Sequence, residues 1–231
     1  MKFKMTDETK TISGRPFYRI VATKDFADVK KGDTGGWLEK EKSLSQSGNA
    51  WVSGEAHVHG NARVYGNAVV TGDAWVEGDA WVEGDARVTG NAQVYGTARV
   101  YGNAWVSGNA RVYGDARVTG NARVYGNAYV SGTAHVTGDA HTSTVFNLIG
   151  ACPFPVTAYG ETVHIGCKAH SVDTWRKIFK KRKYRGEVDT DEEYDQCRRA
   201  FKFAAKYLEI QRAIKGDAGG VFTHSQSFAL S

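Results

Sequence analysis

From Val52 to Ala140 the chain repeats every six residues, with Val in the first slot, Gly in the third and Ala in the fifth, fifteen times each without a gap. A strict period of six is incompatible with a helix of 3.6 residues per turn, and it is far shorter than the leucine-rich, ankyrin or tetratricopeptide repeats. It suits a β-solenoid in which each unit builds one short strand and one corner, and three units close a triangular coil. Val then points inward. Ala sits at the corner, where converging faces leave room only for a methyl group. The residue after each Gly is Asn seven times, Asp five times, Thr twice and Glu once. Gly tolerates a positive φ and Asn or Asp suit tight turns, so this pair supplies the corner chemistry. Five coils stacked at strand spacing give a prism roughly 24 Å long, or about 29 Å if the preceding residues add a coil.

The flanks follow other rules. Residues 1–13 are polar and are expected to be a flexible N-terminus. Residues 14–50 are expected to form an N-terminal β cap, since the open end of a stacked sheet needs a cover. Within them Phe17 to Ala22 has strand composition, Lys31 to Gly36 is turn-rich, and Leu44, Gly48 and Ala50 already keep the six-residue register. The β-helix is placed at 51–142. Residues 143–214 are expected to form a small α/β segment. Its strands are placed near Val145 to Ile149, Val156 to Ala158 and Val163 to Ile165, interrupted by Pro153 and Pro155. A first helix is predicted after His170, with Ser171 as N-cap, ending near Gly186. A second follows the capping box Thr190-Asp191-Glu192-Glu193, with Tyr194, Cys197, Phe201, Ala204, Ala205 and Leu208 on one apolar face. Residues 215–231 read as a tail.

The arrangement Gly35-Gly36-Trp37-Leu38, Leu44-Ser45-Gln46 and Gly48-Asn49-Ala50-Trp51-Val52, followed by the repeats, resembles the hexapeptide-repeat, left-handed β-helix family. That family is known from bacterial acyltransferases. Within it the chain is most similar to uncharacterised bacterial and phage proteins called transferase-like or polymer-forming. The resemblance covers roughly residues 17–170. It implies a mainly β, single-stranded, left-handed triangular β-helix. It also implies a homo-oligomer, with a trimer as the family pattern, and a phage-encoded protein as one origin.

Three cysteines (Cys152, Cys167 and Cys197) without CxxC spacing argue against a disulfide framework or a zinc site. With no signal peptide or apolar run, they point to the cytoplasm, which is the host cytoplasm if the gene is a phage's. The net charge of +5 is uneven: residues 46–140 net −2, residues 1–45 net +3 and residues 151–231 net +4. This balance is too mild to imply nucleic acid by itself.

The slots flanking each Val point outward, and residues eighteen apart stack in columns. One face carries Trp51, Val69, Arg87, Trp105 and Arg123. The second carries His57, Trp75, Gln93, Arg111 and Tyr129, with His59 beside them. The third carries Arg63, Trp81, Arg99, Arg117 and His135, flanked by Tyr65 and Tyr101. Such columns stabilise by stacking. Trp, Tyr and Arg also dominate binding hot spots, so Arg63, Tyr65, Trp81, Arg99, Tyr101 and Arg117 form the candidate ligand or partner surface. A second candidate is the basic patch Arg176, Lys177, Lys180, Lys181, Arg182, Lys183 and Arg185, which would suit phosphates, nucleic acid or an acidic protein.

The function expected is therefore a non-enzymatic binding scaffold that acts on a host protein or sequesters a small anionic, nucleotide-like ligand. It needs no cofactor and no metal. The alternative implied by the resemblance is an acyl-CoA-dependent acyltransferase whose general base is His57, His59 or His135. Against it stand the absence of any looped insertion across 89 repeat residues and a C-terminal change of fold.

Overall fold

The computed structural model describes residues 1–138, 140–142, 145–148, 154, 156–166, 168–181, 188 and 190–217. Strands β1 (Phe3–Ile12), β2 (Arg15–Ala22) and β3 (Thr34–Leu38) precede a 3-10 turn at Glu41–Ser43. Sixteen two-residue strands, β4 to β19, then run from Trp51–Val52 to His141–Thr142 at six-residue intervals. Strands β20 (Phe146–Leu148), β21 (Val156–Tyr159), β22 (Thr162–Ile165) and β23 (Lys168–Ser171) lead into helices α1 (Val172–Lys180) and α2 (Asp191–Asp217).

The repeat strands sort into three parallel sheets. One has the order β3-β5-β8-β11-β14-β17, a second β4-β7-β10-β13-β16-β19, and a third β6-β9-β12-β15-β18, extended by a bridge from Leu44 to Val64. Each face therefore has six rungs: Trp37 and Leu38 add the first rung of one face and Leu44 that of another, while β19 adds the last rung of the face that begins at β4. The register is the eighteen-residue one: Arg87 pairs with Val69 and Trp105, Gln93 with Trp75 and Arg111, and Arg99 with Trp81 and Arg117. Every first-slot Val and every corner Ala of the repeat is buried through Val136.

Glycine is required twice over at the corners. Gly84 has φ +69°, a region that L side chains rarely adopt, and a Cβ placed there would meet the backbone N and O of Gly102 at 3.1 Å. Beside the glycines, Asn91 donates to Asn109 and Asn109 to Asn127 at 3.1 Å, a side-chain ladder down one corner.

Backbone N–H groups point toward the following coil: Trp51 donates to the Ala68 carbonyl and Ser53 to Val70, each at 2.9 Å. Strand β2 pairs with the free edge of β3, but the carbonyls of Ser47, Gly48 and Ala50 are left without a ladder partner. Lys2 supplies it. Its buried ammonium donates to the Ala50 carbonyl at 2.7 Å and reaches those of Gly48 and Ser47 at 3.4 and 3.5 Å. Burial pushes its pKa down to about 8, with Lys24 adding.

Residues Phe3–Ile12 were expected to be flexible and instead form β1, paired antiparallel with β2. The reason is long-range: Phe3 packs edge-on against Trp51 at 6.5 Å, and the Lys2 and Phe3 amides donate to the Gln46 side chain. Phe3, Ile20 and Ala22 close the apolar end of the prism.

At the other end β20-β21-β22-β23 form an antiparallel sheet. Against it lies a separate core of Trp175, Phe179, Tyr194, Cys197, Phe201 and Leu208 with Val156, Val163 and Ile165. Trp175 Nε1 donates to the Val163 carbonyl at 2.7 Å. Ser171 caps α1, accepting from the Thr174 amide. The capping box of α2 is formed too, with Glu193 N–H donating to Thr190 Oγ1 and Thr190 N–H to the Glu193 carboxylate. Two boundaries move. Helix α1 ends at Lys180 rather than near Gly186, and His170 lies in β23, a strand the sequence did not announce. Helix α2 continues through Asp217, beyond the expected start of a tail at 215; residues 218–231 lie outside the described residues, as do Pro153 and Pro155.

Candidate functional site

The third face brings its predicted residues together. Arg63, Trp81, Arg99 and Arg117 occupy successive rungs of one parallel sheet, because each is the residue before an inward Val. Arg99 lies over the Trp81 ring at 5.0 Å and Arg63 at 5.8 Å, while Tyr65 meets Trp81 edge-on at 5.8 Å. The column is thus a stack in which the indole is held between two guanidinium groups. Burial, followed by a hydrogen bond with Glu83, raises the Tyr65 phenol pKa well above its ordinary value. Tyr101 is half-buried one rung further on. Arg63, Arg99 and Arg117 are exposed, and among the described residues none has a carboxylate within ion-pair distance.

The other two faces are partly covered at their N-terminal rungs. On the first, Trp51 is buried beneath Phe3 and Phe26. On the second, the β1–β2 hairpin folds over the rungs. Lys10 and Arg19 lie over the Trp37 ring at 4.0 and 4.2 Å, and both pair with Glu55 at 2.9 Å. The Lys10 hydrogen bond, joined by those of Trp37 and Arg19, holds the Glu55 pKa down to about 2.

His57 and His59 were expected as an outward pair. They do leave the strand on its outer side, but Phe17 of β2 closes over them edge-on at 5.3 and 5.5 Å and both are buried. The His57 ring stacks on Trp75 at 4.4 Å and neither of its nitrogens has a hydrogen-bond partner. Burial, with Lys10 adding, pushes its pKa down to about 4. His59 Nε2 lies 2.9 Å from the Glu77 carboxylate, off the line of a hydrogen bond, and burial lowers its pKa despite that carboxylate. A buried, stacked imidazole under a hairpin cannot meet a substrate, so these two candidates are corrected from surface base to packed core. Among the described residues no group of three His, Cys, Asp or Glu is placed to hold a metal.

His135 stays half-buried at the C-terminal end of the third face, its pKa lowered by burial and by Arg117. Near it lies a cluster that the sequence gave no reason to join. Tyr159 Oη and His164 Nε2 are 2.6 Å apart, and the Thr137 amide donates to the same hydroxyl at 3.3 Å. Burial drives the His164 pKa to about 4, with His135 and His170 adding. A cavity of about 460 Å³ opens there between the last coil and the C-terminal sheet, lined by Thr137, Tyr159, Thr162, His164, His170 and Ser171 among others. Tyr159 and His164 meet within the local β21–β22 hairpin, but Thr137 joins them only because that hairpin folds back on the solenoid, which local sequence spacing does not signal.

Of the basic patch, Arg176 is engaged by Asp173 at 3.0 Å and Glu209 at 2.7 Å, while Lys177, Lys180 and Lys181 are exposed. Arg182, Lys183 and Arg185 lie outside the described residues. Among the described residues no helix is long and apolar enough to cross a membrane.

Residues 62–78, 92–108, 98–112 and 110–124 match the family model of the YdcK β-solenoid repeat. All four stretches lie within the stacked coils. A curated relative, the "Uncharacterized acetyltransferase YdcK" of Escherichia coli (strain K12), is 32% identical over 59 residues. The match covers 22% of this chain and 18% of the relative's length, so the likeness is to a fraction of that protein.

Proposed function

We propose that this chain is a non-enzymatic β-solenoid binding protein whose contact surface is the third face of the prism. One observation carries the reading: Arg63, Arg99 and Arg117 form a cationic column around Trp81, are exposed, and have no carboxylate partner among the described residues. The first and second faces, by contrast, are covered at their first rungs by Phe26 and by the β1–β2 hairpin. Rungs at strand spacing place Arg117 about 5 Å from Arg99, and Arg63 about 10 Å from Arg99 across the intervening Trp81. That suits phosphates or carboxylates of a small anionic, nucleotide-like ligand, or an acidic stretch on a protein, including a host protein if the gene is a phage's. A trimer that packs this face around a central crevice would concentrate the same charge.

The test is the triple variant Arg63→Ser, Arg99→Ser, Arg117→Ser, compared with the parent by light scattering and by calorimetry against a nucleotide panel and cell extract. Loss of assembly or of ligand binding, with the melting curve preserved, supports the reading. A monomer with the same binding behaviour before and after substitution removes it.

Acyl transfer is the second reading. It is favoured by the acetyltransferase in the name of the YdcK relative and by the cavity beside Tyr159 and His164. His57 and His59 do not serve it; the candidates are His135 and, in the cavity lining, His164 and His170. Acyl-CoA would be the donor. Absence of acyl-CoA binding at millimolar concentration would rule this reading out.

A further inference from the structure

Away from the solenoid, helices α1 and α2 enclose a cleft of about 450 Å³. Its floor is apolar, made by Phe179, Phe201 and Ala205. Its walls are cationic. Helix α1 contributes Arg176 and Lys180, and α2 contributes Arg198, Lys202 and Lys206. These are spaced four residues apart, so each set forms a row along one helix edge. Glu209 is the one acid in the lining, and it is already engaged by Arg176 at 2.7 Å and by Lys206 at 3.8 Å. Lys180 and Lys202 are exposed, and among the described residues neither has a carboxylate within 4.0 Å. The sequence marks the α1 cations only. That α2 faces them with three more follows from the packing of the two helices.

We propose that this cleft is a docking groove for an acidic amphipathic helix of a partner protein. The cations do not converge on a point, as a single phosphate would require. They run in two rows, and the α2 row from residue 198 to 206 extends about 12 Å at helical rise. Arg176, Arg198 and Lys206 already face carboxylates of this chain, so a ligand pairs chiefly with the open Lys180 on one side and Lys202 on the other. Lying along the apolar floor between them, it carries acid along two flanks and an apolar stripe, which describes an amphipathic helix. Single-stranded nucleic acid shares the charge but needs flat aromatic platforms for its bases. Phe179 and Phe201, 7% and 5% exposed, offer a narrow apolar strip at the floor and no open ring faces. The groove is separate from the third face of the solenoid, so this surface stands or falls independently of it.

The test uses the whole chain and a labelled synthetic peptide of about eighteen residues, with Leu at helical i, i+3, i+4, i+7 spacing and Glu on both flanks. Controls are the scrambled peptide and an oligothymidylate of equal charge. Anisotropy should show the amphipathic peptide binding at least about tenfold tighter than either control. Lys180→Glu with Lys202→Glu should weaken it about tenfold or more, and Lys180→Arg with Lys202→Arg should retain it. Both lysines are exposed, so the fold should tolerate these changes, and circular dichroism melts confirm it. Equal binding of the scrambled peptide or the oligonucleotide, no binding, or indifference to charge reversal would each overturn the proposal. So would self-association of the chain that charge reversal abolishes, which would assign the groove to a second copy.

Discussion

The solenoid and the C-terminal unit solve the same problem in opposite ways. The solenoid has no large side chain in its repeated core: Val and Ala fill it, and stability comes from identical rungs whose backbones bond coil to coil. The C-terminal unit relies on a few large groups, with Trp175 stacked on Phe179 at 5.5 Å and Phe201 packed against both. In the first, each residue contributes little and the pattern is everything. In the second, one residue carries a large share of the core.

The largest effect should therefore come from Trp175→Ala. It removes the centre of the C-terminal core and a hydrogen bond to Val163, at a cost of about 3–5 kcal/mol. Limited proteolysis should release α1 and α2 while the solenoid melts unchanged; joint unfolding would show that the two regions are one cooperative unit. Next is Gly84→Ala in mid-solenoid. The positive φ and the approach of Gly102 predict about 2–3 kcal/mol, read as a lower denaturation midpoint with the C-terminal unit unaffected. A cost under about 0.5 kcal/mol would show that the corner tolerates a side chain.

Acid tests both regions at once, because each buries one histidine with a pKa of about 4, His57 under the hairpin and His164 beside Tyr159. The folded forms stay neutral while the unfolded chain takes up protons near pH 6.5. Their contribution is complete above pH 6.5 and is lost as pH falls toward 4, by about 3 kcal/mol for each site. His57→Phe should flatten the acid loss reported by tryptophan fluorescence at the N-terminal rungs, and His164→Phe should leave that loss in place. The smallest effect belongs to Asn109→Ala, which cuts two exposed ladder bonds and should cost about 0.5 kcal/mol by thermal melting.

Legibility follows the same division. The columns of Arg, Trp and Tyr could be written out from spacing alone, because side-chain direction in a strand alternates and coil length is constant. The two helices and their caps were visible in Ser171 and in the box from Thr190 to Glu193. The ends were not. Residues Phe3–Ile12 look polar and loose until Lys2 is seen satisfying the carbonyls of the first coil and Phe3 resting on Trp51. His57 and His59 look like a surface pair until Phe17 closes over them.

By itself, then, the sequence determined the coil: the period, the inward Val, the corner Ala and Gly, and the residues sharing each outer column, all of which are local geometry repeated. Tertiary structure alone decided which of those outward residues remain accessible. It turned His57 and His59 into packing, left Arg63, Arg99 and Arg117 open, joined Thr137 to Tyr159, and set α2's cations across from α1's. The physical reason is that covering and meeting are made by segments far apart in the chain, whose docking depends on shape and on unpaired backbone groups at the ends, and neither leaves a periodic trace.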